Sequence, residues 1–368
     1  MNELILKQEE KAMFSLRSLY KTYGYKPFKM NKFEEYEFYL RNKDFLISDR
    51  VITFNDTDGR LLALKPDVTL SIVKNSKDHV ETKQKVYYNE NVYRISGSTH
   101  CYREIMQTGL ECIGAIDVYD IYETILLAAQ SLALISDGYV LEISHLGILS
   151  SLLKQACDNK EFQKEASEYI AKKNSHDLRR LCEKYEISSS ETEKLCAFLS
   201  IYGEREAVLK ALEPLCTSAE SLCALQTLKC ISEMLSMTPH SSKIRFDFSI
   251  VNDMNYYNGI VFQGFLNKIC ESVLFGGQYD NLMDRLGRKD RAIGFAIYLD
   301  MLEQLYSEQD KYDVDVLILY DETVSPVTLV KTVHELVCAG NSVSTQKSTL
   351  PDIRYRTIIN LGKEEQTC

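Results

Sequence analysis

Four segments of this 368-residue chain combine strand-like hydrophobic residues with side chains that form strong hydrogen bonds. Their polar members are carboxylates, guanidiniums, amides, hydroxyls and phenols. Such groups suit a polar ligand, since a hydrogen bond with an ionised partner is roughly twice as strong as one between neutral groups. The segments span residues 64–69, 93–94 with 102–111, 252–259, and 275–280 with 292–296.

The second segment has an unusual face when it is arranged as a strand. Side chains alternate between the two faces of a strand, so every second residue points the same way. Five residues share one face: Arg103, Ile105, Gln107, Gly109 and Glu111. This composition differs from that of a hydrophobic core, so the face points either to solvent or into a binding site. Comparable groups in other segments favour the binding site: Asp67, Thr69, Arg94 and Tyr257.

Several of these residues also fit ordinary structural roles. Asp67 follows Pro66 and could be the acid of a turn. Tyr256 and Tyr257 could pack at the end of a strand, and the Gly276-Gly277 pair could form a β-bulge. Sequence alone leaves both interpretations open, because it does not show whether the segments converge.

The elements that would position these residues follow from hydrophobic periodicity. Helices are predicted over residues 8–22, 119–135 and 147–153, and almost continuously over 158–237. Asn258-Gly259 predicts a hairpin turn. Residues 312–362 predict a small α/β unit with a helix over 326–339 and strands over 314–319, 342–346 and 357–360. The other predicted strands cover residues 51–54, 61–64, 86–95, 103–114, 140–143 and 243–250.

Composition favours a globular cytoplasmic protein. We find neither an export signal nor an apolar run of about 18 residues, the length that a membrane span requires. The eleven cysteines are scattered, which predicts packed thiols in a reducing compartment. Cys216, Cys223 and Cys230 recur every seven residues, which is too far apart on a helix for one metal ion, so no metal or other cofactor is expected. The net charge of −10 argues mildly against nucleic acid.

Five motifs in order resemble histidyl-tRNA synthetase, a class II aminoacyl-tRNA synthetase. They are LKPDVT, NVYR, REIMQTGLECIG, NYYNGIVF, and GGQYD with IGFAI, and the resemblance covers residues 8–303. It implies an α+β fold in which helices flank an antiparallel sheet. The implied domains are a synthetase-like domain in two parts (1–157 and 241–306), a helical insertion (158–240) and a truncated anticodon-domain-like α/β unit (312–368).

The resemblance also implies a pocket for free histidine. Asp67 and Thr69 match the pair that binds the ammonium group, and Arg94 and Gln107 match groups near the carboxylate. The imidazole would lie beside a carboxylate and a phenol, which would exclude apolar side chains by leaving these polar groups unpaired. Glu111 and Tyr257 match the residues that hold the imidazole, Tyr279 matches one that lines the pocket, and Tyr256 belongs to the same implied histidine-binding set.

The chain departs from the synthetase pattern where that family binds the nucleotide. Asn252 replaces the arginine of R-G-L-D-Y-Y, and Met301 replaces the arginine that ends the last motif. Ile95-Ser96 replaces His-Glu, and Asn31 replaces the proline of the dimer-forming motif. Adenylate formation depends on stabilising phosphoryl charge, so these losses predict a protein that binds histidine without activating it.

This pattern resembles the family of ATP phosphoribosyltransferase regulatory subunits, which are not themselves enzymes. The resemblance implies a hetero-oligomer with the catalytic subunit at the first step of histidine biosynthesis, feedback regulation by histidine, and a dimer through the synthetase-like domain. It implies neither tRNA nor membrane as a partner. A histidyl-tRNA synthetase, or a synthetase paralogue with another role, remains the alternative.

Overall fold

The chain folds into two compact units, residues Met1–Leu302 and Glu303–Cys368. The structure is a computed structural model that describes residues 8–43, 46, 51–76, 81–95, 101–251, 256–302, 305 and 312–362. The first unit is built on a sheet of nine strands. Its helices pack on a mainly antiparallel sheet, as expected for an α+β protein.

The nine-stranded sheet is mainly antiparallel, in the order β1-β5-β6-β12-β11-β10-β7-β9-β8. Only the β1–β5 and β7–β9 pairs are parallel. Two strands of 13 residues, β5 and β6, form its longest pairing. The strands are β1 (Lys26–Pro27), β5 (Lys83–Ile95), β6 (Tyr102–Gly114), β7 (Tyr139–His145), β8 (Tyr202–Gly203), β9 (Ile244–Asp247), β10 (Ile260–Leu266), β11 (Leu274–Gln278) and β12 (Arg291–Tyr298).

One face of the sheet is covered by α1 (Gln8–Thr22) and α4 (Val118–Ile135). Asp117 and Asp120 form a capping box that starts α4. By length and composition α4 could cross a membrane, whereas the sequence predicted no apolar run of this length. Its most apolar window is 61% buried inside the protein, so α4 belongs to the core.

A small second sheet lies in the order β2-β4-β3 and precedes α3 (Val68–Asn75). Leu64 at the end of β4 leads through Lys65 and Pro66 into α3. Met30, Tyr39 and other buried residues of this region form a core with Tyr88 and Val92 of β5. The elements are β2 (Phe33–Glu35), α2 (Tyr36–Arg41), β3 (Thr53–Asn55) and β4 (Leu61–Leu64).

The segment predicted to be helical over residues 158–237 contains five helices and also one short strand. That strand, β8, pairs with β9 and forms the edge of the nine-stranded sheet. A two-residue strand has no periodic signal of its own, which is why the sequence did not predict it. The helices are α6 (Lys160–Ala171), α7 (Ser175–Lys184), α8 (Ser189–Phe198), α9 (Arg205–Leu212) and α10 (Ala219–Ser236), which follow α5 (Leu146–Ala156).

The hairpin predicted at Asn258-Gly259 is wrong. Only the second flank is a strand, β10, and the hairpin is instead made by β10 and β11. A two-residue turn of the predicted type needs positive φ at its central residues, and neither residue has it. Asn258 instead donates its N–H to the Gln278 carbonyl and accepts the Asp280 N–H through its side chain.

Within residues 312–362, the second unit contains a three-stranded parallel sheet and one helix; the strands and the helix were predicted, and the parallel pairing was not. Its strand order is β14-β13-β15, with both outer strands parallel to β13. Pro326 lies in the first turn of the helix, and Ser325 caps it. The elements are β13 (Val314–Leu319), α12 (Pro326–Cys338), β14 (Val343–Gln346) and β15 (Tyr355–Asn360).

The three cysteines with seven-residue spacing differ in their surroundings. Cys216 is buried, Cys230 is half-buried and Cys223 is exposed, so packing does not explain all three. Cys216 also precedes α10, which carries the other two. Among the described residues, no group of three histidine, cysteine or acidic side chains is arranged to hold a metal ion.

Candidate functional site

A cavity of about 400 Å³ lies on the sheet face opposite α1. Strand parity separates the two faces: the ring of Phe295 packs 6.0 Å from Tyr20 of α1, and its neighbours Gly294 and Ala296 point to the opposite face; all three residues border the cavity. Residues of β5, β6, β11 and β12 line the cavity, and the start of α3 borders it. All eight predicted site residues line it: Asp67, Thr69, Arg94, Gln107, Glu111, Tyr256, Tyr257 and Tyr279.

Asp67 and Thr69 reach the cavity because α3 begins there. Asp67 is the N-cap, and the Leu70 N–H donates to its Oδ1 at 2.8 Å. An N-cap carboxylate satisfies one of the otherwise unpaired N–H groups of the first turn and interacts favourably with the helix dipole. The turn role considered for Asp67 is therefore correct in part, and the same residue also lines the cavity.

Glu111 is the most constrained acid of the cavity. Its side chain is 2% exposed, and it lies opposite Gly294 in the β6–β12 pair. Thr69 Oγ1 donates to Glu111 Oε1 at 2.8 Å, and Tyr279 Oη donates to Oε2 at 2.6 Å. A Cβ atom at position 294 would overlap the Glu111 carboxylate, so this position requires glycine. The family resemblance implied that Thr69 binds the ammonium group of a ligand and that Glu111 binds its imidazole. In the structure, a hydrogen bond joins these two side chains.

Burial governs the titration of both acids. It raises the pKa of Glu111 to about 8, against the opposing hydrogen bonds from Tyr279 and Thr69. The negative charge of Asp67 raises it further. Burial also raises the pKa of Asp67, opposed chiefly by the Leu70 N–H and by the charge of Arg94. An empty cavity therefore disfavours two ionised carboxylates and favours a ligand that brings positive charge.

Arg94 and Gln107 lie on the neighbouring strands β5 and β6. Arg94 is half-buried, and its Nε donates to the Pro66 carbonyl at 3.0 Å, which ties β5 to the residue before Asp67. Gln107 is buried opposite Tyr298 of β12. The parity predicted for β6 is therefore confirmed for Gln107, Gly109 and Glu111, which are buried, while Arg103 on the same face is exposed.

Three tyrosines form an aromatic wall. The Tyr256 and Tyr257 ring centroids are 4.6 Å apart, and Tyr256 is 5.9 Å from Tyr279. A Cβ atom at Gly277 would come within 2.8 Å of the Tyr257 ring, so glycine lets the ring lie on β11. From the sequence, packing and lining of a binding site were alternative roles for Tyr256 and Tyr257. In the structure, both residues pack against neighbouring rings and also line the cavity.

Several residues that line the cavity were not predicted from the sequence. Tyr88 is on the same face of β5 as Arg94, so parity could have found it. Phe275 and Tyr298 lie on two short strands, β11 and β12, that the sequence did not predict. The missed residues also include Leu46, Val68, Gly294, Phe295 and Ala296.

The synthetase motifs carry arginines at the positions of Asn252 and Met301, and the structure describes only the second of these residues. Asn252 lies outside the described residues. Met301 is half-buried in a 3-10 turn over Leu299–Leu302 that directly follows β12.

Comparison with known proteins defines the class of this protein. The family model of histidyl-tRNA synthetase matches residues 4–302. The chain belongs to the histidyl-tRNA synthetase family, which confirms the fold that its motifs predicted.

Curated relatives place the chain beside one branch of this family. The ATP phosphoribosyltransferase regulatory subunit of Oceanobacillus iheyensis is 29% identical over 302 residues, covering 80% of this chain and 73% of that one. The protein of the same name from Bacillus cereus is 28% identical, covering 85% of this chain and 76% of the relative. These names agree with the prediction of a regulatory subunit.

Solved structures share the fold. A structure described as an ATP phosphoribosyltransferase regulatory subunit/histidyl-tRNA synthetase from Bacillus halodurans has a TM-score of 0.74 at 22% identity, covering 97% of this chain and 94% of that chain. The ATP phosphoribosyl transferase (HisG:HisZ) complex from Thermotoga maritima contains a chain with a TM-score of 0.62 at 21% identity, covering 79% of this chain and 97% of that chain.

Proposed function

We propose that this chain is the non-catalytic regulatory subunit of ATP phosphoribosyltransferase and binds free histidine in the 400 Å³ cavity. The names of the curated relatives support the assignment to this enzyme. In the complex, histidine bound here reports the level of the pathway's end product. The chain therefore needs to bind histidine and must not consume it.

The single observation that carries the histidine proposal is the charge of the cavity. Two buried carboxylates, Asp67 and Glu111, face one guanidinium, that of Arg94. Buried charges are stable when they are paired, so this excess of acid fits a ligand with an ammonium group and a basic ring. Gln107 and Arg94 supply groups for a ligand carboxylate. Histidine has all three features.

The lack of activation is part of the proposal. Asn252 and Met301 occupy the positions at which synthetases carry arginines, and neither side chain brings positive charge to a nucleotide phosphate. Losing one preorganised donor typically costs on the order of 3 kcal/mol, or about 10²–10³ in rate. Two such losses leave the amino-acid part of the site without a working nucleotide part.

The partners follow from this function. We expect a hetero-oligomer with the catalytic subunit, a dimer through the synthetase-like domain, a cytoplasmic location, and no metal or other cofactor. The net charge of −10 disfavours the polyanionic backbone of tRNA.

The proposed domains are a synthetase-like domain over residues 1–157 and 241–306, a helical insertion over 158–240 and a C-terminal unit over 312–368.

Titration calorimetry with histidine and then with ATP tests the proposal. We expect saturable histidine binding, no ATP binding, and no histidine-dependent ATP–pyrophosphate exchange. Glu111→Ala removes the acid that holds Thr69 and Tyr279, so this variant should lose histidine binding. Glu104→Ala is the matched control, because Glu104 is on the same strand, is exposed and points away from the cavity.

Each alternative has a distinct outcome. Robust pyrophosphate exchange would identify a synthetase and refute the regulatory role. Histidine binding without capture of a phosphoribosyltransferase catalytic subunit would point to a synthetase paralogue with another role.

A further inference from the structure

Lys65 lies two residues before Asp67, and its side chain is fully buried. Its Nζ donates to Glu90 Oε2 of β5 at 2.8 Å, and the Glu90 side chain is 15% exposed. Lysine is almost never fully buried unless its charge is paired, because taking that charge out of water is costly. Such a pair adds little net stability compared with apolar side chains of the same volume. A buried lysine directly before a cavity residue therefore calls for a role other than stability.

The chain that leads into α3 is held to β5 at two consecutive carbonyls. The Tyr93 N–H donates to the Lys65 carbonyl at 2.9 Å, and Arg94 Nε donates to the Pro66 carbonyl at 3.0 Å. On the other side, the Lys65 N–H donates to the Lys32 carbonyl at 3.1 Å. A displacement of Lys65 would therefore pass directly to the N-cap of α3.

Glu90 anchors a second segment with its other oxygen. The Met30 N–H donates to Glu90 Oε1 at 3.3 Å, while Lys65 donates to Oε2. Glu90 lies on the same face of β5 as Arg94, because even-numbered residues of this strand share one face. One carboxylate of β5 thus fixes both the segment after β1 and the residues that enter α3.

The ionisation of Asp67 also depends on this lysine. Burial raises the pKa of Asp67. The groups that oppose this rise are, in decreasing order, the Leu70 N–H, the charge of Arg94, the Thr69 N–H and the charge of Lys65. An ionised carboxylate binds an ammonium group more strongly than a protonated one does. Lys65 therefore contributes to the charge of the acid as well as to its place.

We infer that Lys65 is a positioning residue of the cavity, which through its ion pair with Glu90 holds Asp67 where its carboxylate binds the ammonium group of the ligand. This inference rests on the proposed function, in which that ligand is histidine. Lys65 is not among the described residues that line the cavity, so it acts through Asp67.

The double variant Lys65→Met, Glu90→Gln tests the inference. It removes both charges, keeps the side chains close to their original size and leaves an amide oxygen to accept the Met30 N–H. The melting temperature should stay near that of the wild type, because uncharged replacements of a buried ion pair are often neutral. We expect calorimetry to show the dissociation constant for histidine raised about tenfold, the loss typical of one hydrogen bond to a charged group.

A ligand without the ammonium group separates positioning of Asp67 from general loosening of the cavity. Imidazole-4-propionate keeps the ring and the carboxylate of histidine but has no amine, and its affinity can be measured by competition. The double variant should bind it as tightly as the wild type does. Equal losses with both ligands would show a loosened cavity and overturn the inference.

A second ion pair of β5 provides the matched control. Lys85 pairs with Glu123 of α4, on the face of the sheet that the helices cover. Lys85→Met, Glu123→Gln should therefore leave both dissociation constants unchanged. Glu90→Gln alone, which keeps the buried lysine, should give a loss of the same kind and replaces the double variant if that protein does not fold.

The outcomes for the inference and for the proposed function are distinct. Unchanged histidine affinity in the folded double variant would overturn the positioning role and leave the proposed function standing. Wild-type protein that fails to bind histidine would overturn both.

Discussion

At the scale of single residues, the titration of Glu111 is the property of the site that is easiest to measure. Its pKa is raised from its ordinary value of 4.5 to about 8 by burial. The folded state therefore binds this proton more tightly than the unfolded chain does. Its contribution to stability is fully present below about pH 4.5 and is lost as the pH rises through about 8.

Glu111→Gln should remove this pH dependence. Urea unfolding between pH 6.5 and 8 should show the wild type losing about 1–2 kcal/mol of unfolding free energy, and the variant losing less. This pH window avoids the titration of His145. Burial lowers the pKa of His145 to about 4, so its effect on stability falls between pH 4 and 6.5. Equal slopes in the two proteins would show that Glu111 is already ionised in the folded state.

At the scale of elements, the site depends on one short helix held at both ends. Asp67 caps the N-terminus of α3, and Arg288, from the loop between α11 (Asp280–Arg285) and β12, binds its C-terminus. Arg288 Nη1 donates to the Val73 carbonyl at 2.9 Å and to Ser76 Oγ at 2.5 Å. Its other nitrogens form a buried bidentate pair with Asp290. An eight-residue helix is too short to be stable by itself, so these contacts and its packing hold Asp67 and Thr69 in place.

Arg288→Ala should therefore weaken both folding and binding. It removes the guanidinium that pairs with the buried carboxylate of Asp290, and breaking a buried ion pair typically costs about 3–5 kcal/mol. The double variant Arg288→Met, Asp290→Leu removes both charges and should recover most of the stability, yet it lacks the contacts of Arg288 with Val73 and Ser76 at the C-terminus of α3. We expect its histidine affinity, measured by calorimetry, to stay below that of the wild type. Full recovery of affinity would show that the C-terminal contact does not position the site.

The same elements show what the sequence could and could not predict. The strands β5 and β6 were predicted within a few residues of their ends because they are long and bounded by breaks in pattern. The helix α3 was not predicted, since eight residues after Pro66 give too few turns for a periodic signal. The Asn258-Gly259 turn was mispredicted because its local preference is overridden by pairing of residue 258 with Gln278 in β11.

At the scale of the whole molecule, the site exists because the sheet is not wound in sequence order. β12 lies between β6 and β11, although some 180 residues separate β6 from β12 in the chain. This order brings Gly294 beside Glu111, and β11 places Tyr279 over the same carboxylate. Periodicity could mark each segment as unusual, but only the resemblance to a family could predict that they meet.

The division into two units allows a test of where binding resides. The described residues that line the cavity all lie between positions 46 and 298, within the unit that ends at Leu302. A chain truncated after Leu302 should bind histidine with the dissociation constant of the full chain, measured by calorimetry. Circular dichroism controls for folding. A folded truncated chain with weaker binding would show that the C-terminal unit contributes to the site.

The last prediction concerns coupling between this chain and the catalytic subunit. If histidine inhibits the complex through the cavity, it must bind the less active state of the complex more tightly than the active state. Couplings of this kind are typically about 1–3 kcal/mol, or roughly 5- to 150-fold in affinity, and they are reciprocal. Substrates that favour the active state should therefore weaken histidine binding by the same factor by which histidine weakens the binding of those substrates.

Glu111→Ala separates this coupling from assembly. The acid is buried in the cavity of one chain, so its loss should abolish histidine binding and inhibition while the variant still forms the complex and supports its activity. Ultracentrifugation measures assembly, and the rate of phosphoribosyl transfer with and without histidine measures inhibition. Inhibition that survives in an assembled Glu111→Ala complex would place the regulatory histidine at another site, and this cavity would then need a different ligand.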